Sequence, residues 1–235
     1  MSWDVAIRKT IGSGSQRFDL DVSFKSEAER LVLFGPSGAG KSLTLKAIGG
    51  LLRPDSGRVQ VGGSLLFDAV RGIDMPAEKR KLGYLFQEYA LFPHLTVRQN
   101  VAFSVRKGWR NPPRNLADAE VDRTLAALEL ADLADRYPDQ LSGGQRQRTA
   151  LARALRSAPR ALLLDEPFAA LDASLRRRLR AELVELQARV GIPMLLITHD
   201  DEDVAAFAND VVQIEGGTVR TRAISSPAVV PVSQA

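Results

Sequence analysis

Three short stretches carry residue types whose order suits phosphate chemistry. Gly35, Pro36, Ser37, Gly38, Ala39, Gly40, Lys41 and Ser42 fill the pattern G-x-x-x-x-G-K-[ST] at every fixed position. Gly38 and Gly40 let the backbone curl so that successive N–H groups point at phosphate oxygens. The loop runs into a helical pattern, and a helix N-terminus favours an anion. Lys41 has the reach for β- and γ-phosphates, and the Ser42 hydroxyl suits Mg2+. A glycine-rich turn with a chance lysine would not explain the apolar strand pattern before the loop and the apolar helical pattern after it. Alone, the motif indicates a nucleotide phosphate and does not separate a kinase, a GTPase, a motor and a transport ATPase.

The second stretch is Ser142, Gly143, Gly144 and Gln145, preceded by Leu141. Ser142 is a good N-cap, and a helix start attracts anions. Two adjacent glycines there cost roughly 1 kcal/mol each, which makes sense where the backbone must approach something closely. An ordinary capped helix start explains the serine but not the three residues after it. The third stretch, residues 161–166, ends a buried strand in Asp165 and Glu166, at the edge where α/β sheets bind ligands. Asp165 suits a contact to Mg2+, and Glu166 suits a general base that orients water. A cation would relieve the repulsion between the two acids; a solvated strand end is the plainer reading of such a pair.

Alternating strand and helix patterns must position these residues. Residues 3–11 read as an edge strand. Phe18, Leu20, Val22 and Phe24 alternate with polar residues, the period of a half-buried strand. Residues 31–34 form a continuous apolar run, as in a buried parallel strand. The helix after the phosphate loop shows Leu43, Leu45, Ala47, Ile48, Leu51 and Leu52 as its apolar residues. Hairpins are expected at 58–67 and 211–220, strands at 82–86 and 194–198, and helices at 117–134, 142–157, 173–190 and 201–208. Residues 106–115 read as a loop. On the 173–190 helix, Leu175, Leu179, Leu183, Leu186 and Val190 define the inward face. Arg176, Arg177, Arg178 and Arg180 read as its solvated face rather than a nucleic-acid patch. The fold class is therefore α/β with a mostly parallel sheet.

Composition bounds the function classes. The chain has 235 residues, enough for one domain or one domain with an insertion. It has no cysteine, which excludes disulfides, thiolate catalysis and Cys-ligated zinc; with two histidines an all-His metal site is not expected. Lys plus Arg exceed Asp plus Glu by only four, 32 against 28, so no polyanionic partner is demanded. No apolar run approaches the roughly 20 residues of a membrane helix, and the N-terminus lacks the apolar stretch of a signal peptide. The composition reads as that of a soluble, cytosolic protein.

The phosphate loop, LSGGQ, LLLDEP, then Leu171-Asp172 and a strand ending in Thr198-His199-Asp200, in this order, resemble the ATP-binding cassette (ABC) ATPases over nearly the whole chain. The resemblance implies a P-loop ATPase core with a mostly parallel sheet and an antiparallel β subdomain. It also implies a helical subdomain inserted at about 88–157, the whole forming one domain over 1–222 with a poorly ordered tail over 223–235. It implies ATP and Mg2+ as cofactors, and Gln87 as a Mg2+-sensing glutamine that joins Ser42 and Asp165 at the metal. His199 is implied as a switch histidine on the γ-phosphate, and Asp172 as part of the loop linking two sites. Ser142–Gln145 would face the phosphate loop of a second copy, so that ATP joins two subunits and hydrolysis releases them.

Residues 87–97 resemble import ATPases of the molybdate, sulfate, maltose and polyamine kind, the molybdate members most. That implies transmembrane permease subunits docked at Tyr89, Ala90, Leu91 and Phe92, a solute-binding protein acting indirectly, no nucleic acid, and a peripheral place on the cytoplasmic face of the membrane. The competing reading is a soluble ABC ATPase acting on DNA or ribosomes, which usually carries two cassettes or a coiled-coil insertion. One departure concerns adenine. The family's stacking aromatic has no counterpart over residues 12–17; Phe18 is expected to face the core, and the residue that stacks on adenine stays open, Arg17 being one candidate by cation–π stacking.

Overall fold

The computed structural model describes residues 2–14, 17–104, 111–169 and 173–223. Its strands join in one sheet built from two unlike halves. In the first half, β3 (Arg30–Phe34), β7 (Leu82–Leu85), β8 (Ala161–Asp165), β9 (Met194–Thr198) and β10 (Asp210–Glu215) run parallel in the order β10-β3-β9-β8-β7. In the second half, β1 (Trp3–Ile11), β2 (Phe18–Ser26), β4 (Ser56–Val61), β5 (Ser64–Asp68) and β6 (Ile73–Asp74) form an antiparallel meander in the order β6-β5-β4-β1-β2. β11 (Thr218–Ala223) pairs antiparallel with β10 and touches β2, joining the halves.

The central strands are apolar throughout because both of their faces are covered. Successive side chains point to opposite sides, so the strands serve two cores. Val32, Leu162, Leu164, Met194 and Leu196 pack with Val101, Leu151, Leu179 and Leu183. Leu31, Leu33, Leu163, Leu195 and Ile197 pack with Leu45, Ile48, Val5 and Val22. The first core is roofed by α2 (Val97–Phe103), α3 (Ala119–Ala127), α4 (Gly143–Arg156) and α5 (Ala173–Val190); the second holds α1 (Lys41–Gly49) against the meander. α6 (Asp201–Phe207) follows β9. In chain order α2, α3 and α4 all lie between β7 and β8.

Several elements differ from the sequence reading. β1 is not an edge strand: β2 and β4 flank it, and Trp3 is fully buried with its indole N–H donated to the Ala28 carbonyl at 3.1 Å. The 117–134 helix is interrupted. α3 stops at Ala127, and Glu129 takes a left-handed φ of 55° that turns the chain so Leu130 N–H bonds the Leu125 carbonyl. Leu128 and Leu130 are buried all the same. α1 ends at Gly50 (φ 79°), so Leu51 is 49% exposed instead of continuing the apolar face. Val190, at the last residue of α5, is also exposed.

The basic face of α5 is not simply solvated. Arg176 and Arg180 both donate to Asp200, and Arg180 is only 5% exposed. Single-residue hydropathy misses this because the carboxylates arrive from α6, after a whole intervening strand. Asp172 and residues 224–235 lie outside the described residues, as does part of the 106–115 loop.

Candidate functional site

The C-terminal ends of β3, β8 and β9 converge on one cavity. It is lined by Ser37, Gly38, Ala39, Gly40, Lys41, Ser42, Gln87 and Glu166, with Phe18 and Leu43 at its margin. Gly35 leaves β3 where only glycine fits: a Cβ there would lie 2.0 Å from the Ile214 carbonyl oxygen. Gly40 takes φ 102° at the start of α1, the left-handed turn that lets the loop fold back and the helix N-terminus face the cavity.

Lys41 folds into its own loop. Its Nζ donates to the carbonyls of Gly35 at 2.7 Å and Pro36 at 2.9 Å, and lies 3.9 Å from Glu166 Oε1. Burial pushes its pKa down, opposed by the charges of Glu166 and Asp165. The Ser42 hydroxyl donates to Asp165 Oδ1 at 3.0 Å. The other oxygen, Oδ2, accepts from the Tyr84 hydroxyl at 3.1 Å. Burial raises Asp165 above the ordinary carboxylate range, offset in part by those two hydrogen bonds. Burial, together with the Asp165 charge, raises the Tyr84 phenol well above its ordinary value, so Tyr84 stays a donor.

Glu166 sits one residue past β8 with φ 44°, an uncommon conformation for a residue with a side chain. Its N–H is anchored on the Ile197 carbonyl at 3.1 Å. The strained turn aims the carboxylate across the cavity at Lys41 and at His199, whose Nδ1 is 3.3 Å from Glu166 Oε1.

The phosphate loop, Gln87, Asp165, Glu166 and His199 are thus gathered at one end of the sheet. Ser142, Gly143, Gly144 and Gln145 are not. They start α4 and do not line this cavity. Ser142 and Gln145 close a reciprocal capping box, Ser142 N–H to Gln145 Oε1 at 2.9 Å and Gln145 N–H to Ser142 Oγ at 3.3 Å. Phe18 packs against the second core, as expected, and also borders the cavity. Arg17 is paired with Asp19 at 2.8 Å.

Sequence reasoning missed Tyr84, which no motif marks, and Arg153. The latter donates to the carbonyls of Tyr89 at 2.9 Å and Ala90 at 2.7 Å and stands 5.4 Å from the centre of the Phe92 ring. It secures the turn after Gln87, where Tyr89 and Ala90 both have positive φ.

The residues present fit Mg2+. Ser42, Asp165 and Gln87 offer oxygen ligands, and Asp165 is a buried carboxylate whose pKa burial raises against its hydrogen bonds and the charge of Lys46. Among the described residues no cluster of three or more His, Cys, Asp or Glu could cage a metal. Mg2+ takes one or two protein ligands plus substrate phosphates, which Ser42 and Asp165 could provide on the protein side.

A parallel sheet ending in a glycine loop and a helix N-terminus defines a phosphate-loop nucleotide-binding protein. A family model described as ABC transporter matches residues 19–169, and the chain belongs to that family. It is 45% identical over 215 residues to the sulfate/thiosulfate import ATP-binding protein CysA of Thermosynechococcus vestitus, covering 91% of this chain and 61% of that protein. It is 39% identical over 216 residues to the molybdenum import ATP-binding protein ModC of Paramagnetospirillum magneticum, covering 92% and 57%. The chain therefore spans about six tenths of these relatives. A solved dimeric structure of the ATP-binding cassette MJ0796, bound to ADP and Pi in a post-hydrolysis state, superposes with a TM-score of 0.75. It shares 28% identity and covers 95% of this chain and 98% of that one.

Proposed function

We propose that this chain binds and hydrolyses ATP as the nucleotide-binding subunit of a solute importer. The observation that carries it is the gathering of Lys41, Ser42, Gln87 and Glu166 around one cavity, with Asp165 and His199 bonded to its edge. The loop amides and Lys41 hold the phosphates; Lys41 is prepared for this by the carbonyls that now occupy it. Ser42, Asp165 and Gln87 hold Mg2+, which supplies charge neutralisation on the phosphates when bound. Glu166 orients and deprotonates the attacking water, and His199 contacts the γ-phosphate and shares Glu166 Oε1 with Lys41. Phosphate release by the purified chain tests the reading: Lys41→Ala should abolish it, and turnover equal to the parent's would exclude this site.

A second copy completes the site. A capped helix start with Gly143 and Gly144 at its head, which does not line its own chain's cavity, would meet the γ-phosphate of a partner. The dimeric form of the MJ0796 cassette supports this. Glu166→Gln should dimerise with Mg-ATP in sedimentation experiments; a monomer at saturating Mg-ATP would sink the sandwich. Asp172 is assigned to the link between the two sites by resemblance alone.

The membrane partner docks in an apolar groove formed by Tyr84, Phe86, Ala90, Phe92, Phe103 and Arg153, beside the Gln87 turn. No helix among the described residues is long and apolar enough to cross a membrane. The import ATP-binding relatives support a permease in another chain, with this one peripheral to it on the cytoplasmic side and a solute-binding protein supplying cargo. Of the cargo class expected from sequence, the relatives support a tetrahedral oxyanion, and sulfate or thiosulfate ahead of molybdate. Uptake of radiolabelled sulfate and molybdate in cells lacking the gene distinguishes them. Action on DNA or ribosomes is not favoured: the relatives are import proteins, and Arg176 and Arg180 are already paired within the fold.

A further inference from the structure

Arg180 lies on α5, away from the nucleotide cavity, yet it is 5% exposed and each of its three nitrogens meets a different carboxylate. Nε donates to Asp203 Oδ1 at 2.5 Å, Nη1 to Glu202 Oε2 at 2.6 Å and Nη2 to Asp200 Oδ2 at 3.0 Å. Arg176, one turn earlier, donates to the same Asp200 oxygen at 2.8 Å. The far oxygen of Asp203 accepts from the Thr198 hydroxyl at 2.5 Å, and that hydroxyl oxygen accepts the backbone N–H of Asp200 at 3.1 Å. Asp200 Oδ1 in turn caps α6 through Glu202 N–H at 2.8 Å.

Thr198 and Asp200 are the two neighbours of His199. Both are held by one network whose root is a buried arginine on a long helix, while the His199 ring itself is half exposed. Charge-assisted bonds of this kind are the strong ones, and the planar guanidinium fixes direction as well as distance. Glu202 is mostly exposed and adds little. The anchoring work falls to Asp203, Asp200 and Thr198.

We propose that Arg180 and Thr198 are positioning residues for the hydrolysis step. Through Asp203 and Asp200 they fix the backbone on both sides of His199, and so set the angle at which the imidazole meets Glu166 and the nucleotide. The proposal rests on the ATPase reading above. It assigns to α5 the orientation of a group on β9's end, which no motif in the chain specifies.

Thr198→Val cuts the link without stripping Asp203 of its arginine, and Thr198→Ser keeps the hydroxyl. Thr198→Val should lower Tm, since it strips Asp203 and the Asp200 N–H of a partner, and should lower kcat of the folded enzyme about tenfold with KM for ATP nearly unchanged; Thr198→Ser should restore both. In a His199→Ala background the same valine should cost less than about twofold, because nothing is left to position. A parent-like kcat for Thr198→Val, or an equal loss in both backgrounds, overturns the proposal. If Thr198→Val does not fold, Arg180→Lys is measured in the same two backgrounds, since an ammonium cannot span three carboxylates.

A readout that needs no turnover is the ring NMR signal of His199, resolved from the chain's other histidine by His94→Gln. A shift of that signal in Thr198→Val supports the proposal and an unchanged signal overturns it. A shifted ring in a parent without ATPase activity would count against the ATPase reading alone.

Discussion

His199 Nδ1 lies 3.3 Å from Glu166 Oε1, and that same oxygen lies 3.9 Å from the buried ammonium of Lys41. One carboxylate oxygen thus joins the lysine of the phosphate-loop motif to the histidine at the end of β9. If the cavity takes nucleotide as proposed, a phosphate would replace Glu166 as the partner of Lys41 and leave the carboxylate to water.

Glu166→Gln keeps the shape of the side chain and removes its basicity. Turnover at saturating Mg-ATP is expected to fall by about 10²–10⁴, the range of a lost general base, with nucleotide affinity retained. Phosphate release and equilibrium binding, measured on the same preparation, check both halves. Turnover within a few-fold of the parent would take Glu166 out of the base role.

Asp165 gives a pH-dependent prediction. Burial raises its pKa above 3.8 in the fold. A group raised on folding contributes stability that is fully present below the unfolded value and is lost as pH rises through the raised one. Its ionised form therefore costs stability at neutral pH. Asp165→Asn should raise the ligand-free Tm near neutrality, by about 1–3 kcal/mol in stability. The gain should shrink to nothing as pH falls below 3.8, while ATP turnover drops. Calorimetry over a pH series reads the sign.

Tyr84→Phe removes the donor to Asp165 Oδ2 and leaves the ring in place. Residues that orient a metal ligand typically contribute 10–100-fold in metal affinity or activity, so the Mg2+ concentration for half-maximal turnover should rise by roughly that factor. An unchanged Mg2+ requirement would leave Tyr84 a packing residue.

Arg80 is almost fully buried and donates to the carbonyls of Ala47, Ile48 and Met75 at 2.7–2.8 Å, closing the C-terminal end of α1. Arg80→Met removes the guanidinium from those carbonyls, Ala47 keeping its bond from the Gly50 N–H, and should cost about 2–4 kcal/mol. Urea denaturation with an unchanged m-value would show it. The nucleotide cavity is at the other end of α1, so the Kd for ATP should move little.

The phosphate loop and the acids after β8 were legible because their chemistry sits in contiguous residues. Strands β3, β8 and β9 were legible because both of their faces are apolar. Tyr84, Arg80 and Arg180 were not, since each earns its burial from partners supplied by other elements: Asp165 from β8, the end of α1, and the start of α6. Phe18 packs on the core as alternation predicts, but its place at the cavity was not legible, since alternation says nothing of how near a strand's end lies to a loop. β1 was taken for an edge strand because polar alternation cannot reveal that β4 would cover its other side.

The double allegiance of β3, β8 and β9 has a mechanical consequence. A strand clamped between two cores cannot shift toward either without compressing one and opening the other, and close-packed interiors resist both. Displacement caused at the nucleotide is therefore not absorbed within the sheet. It is passed to what hangs from the strand ends: the Gln87 turn after β7, Glu166 after β8 and His199 after β9. The stiffness of this two-sided sheet would make the three groups at its strand ends act together.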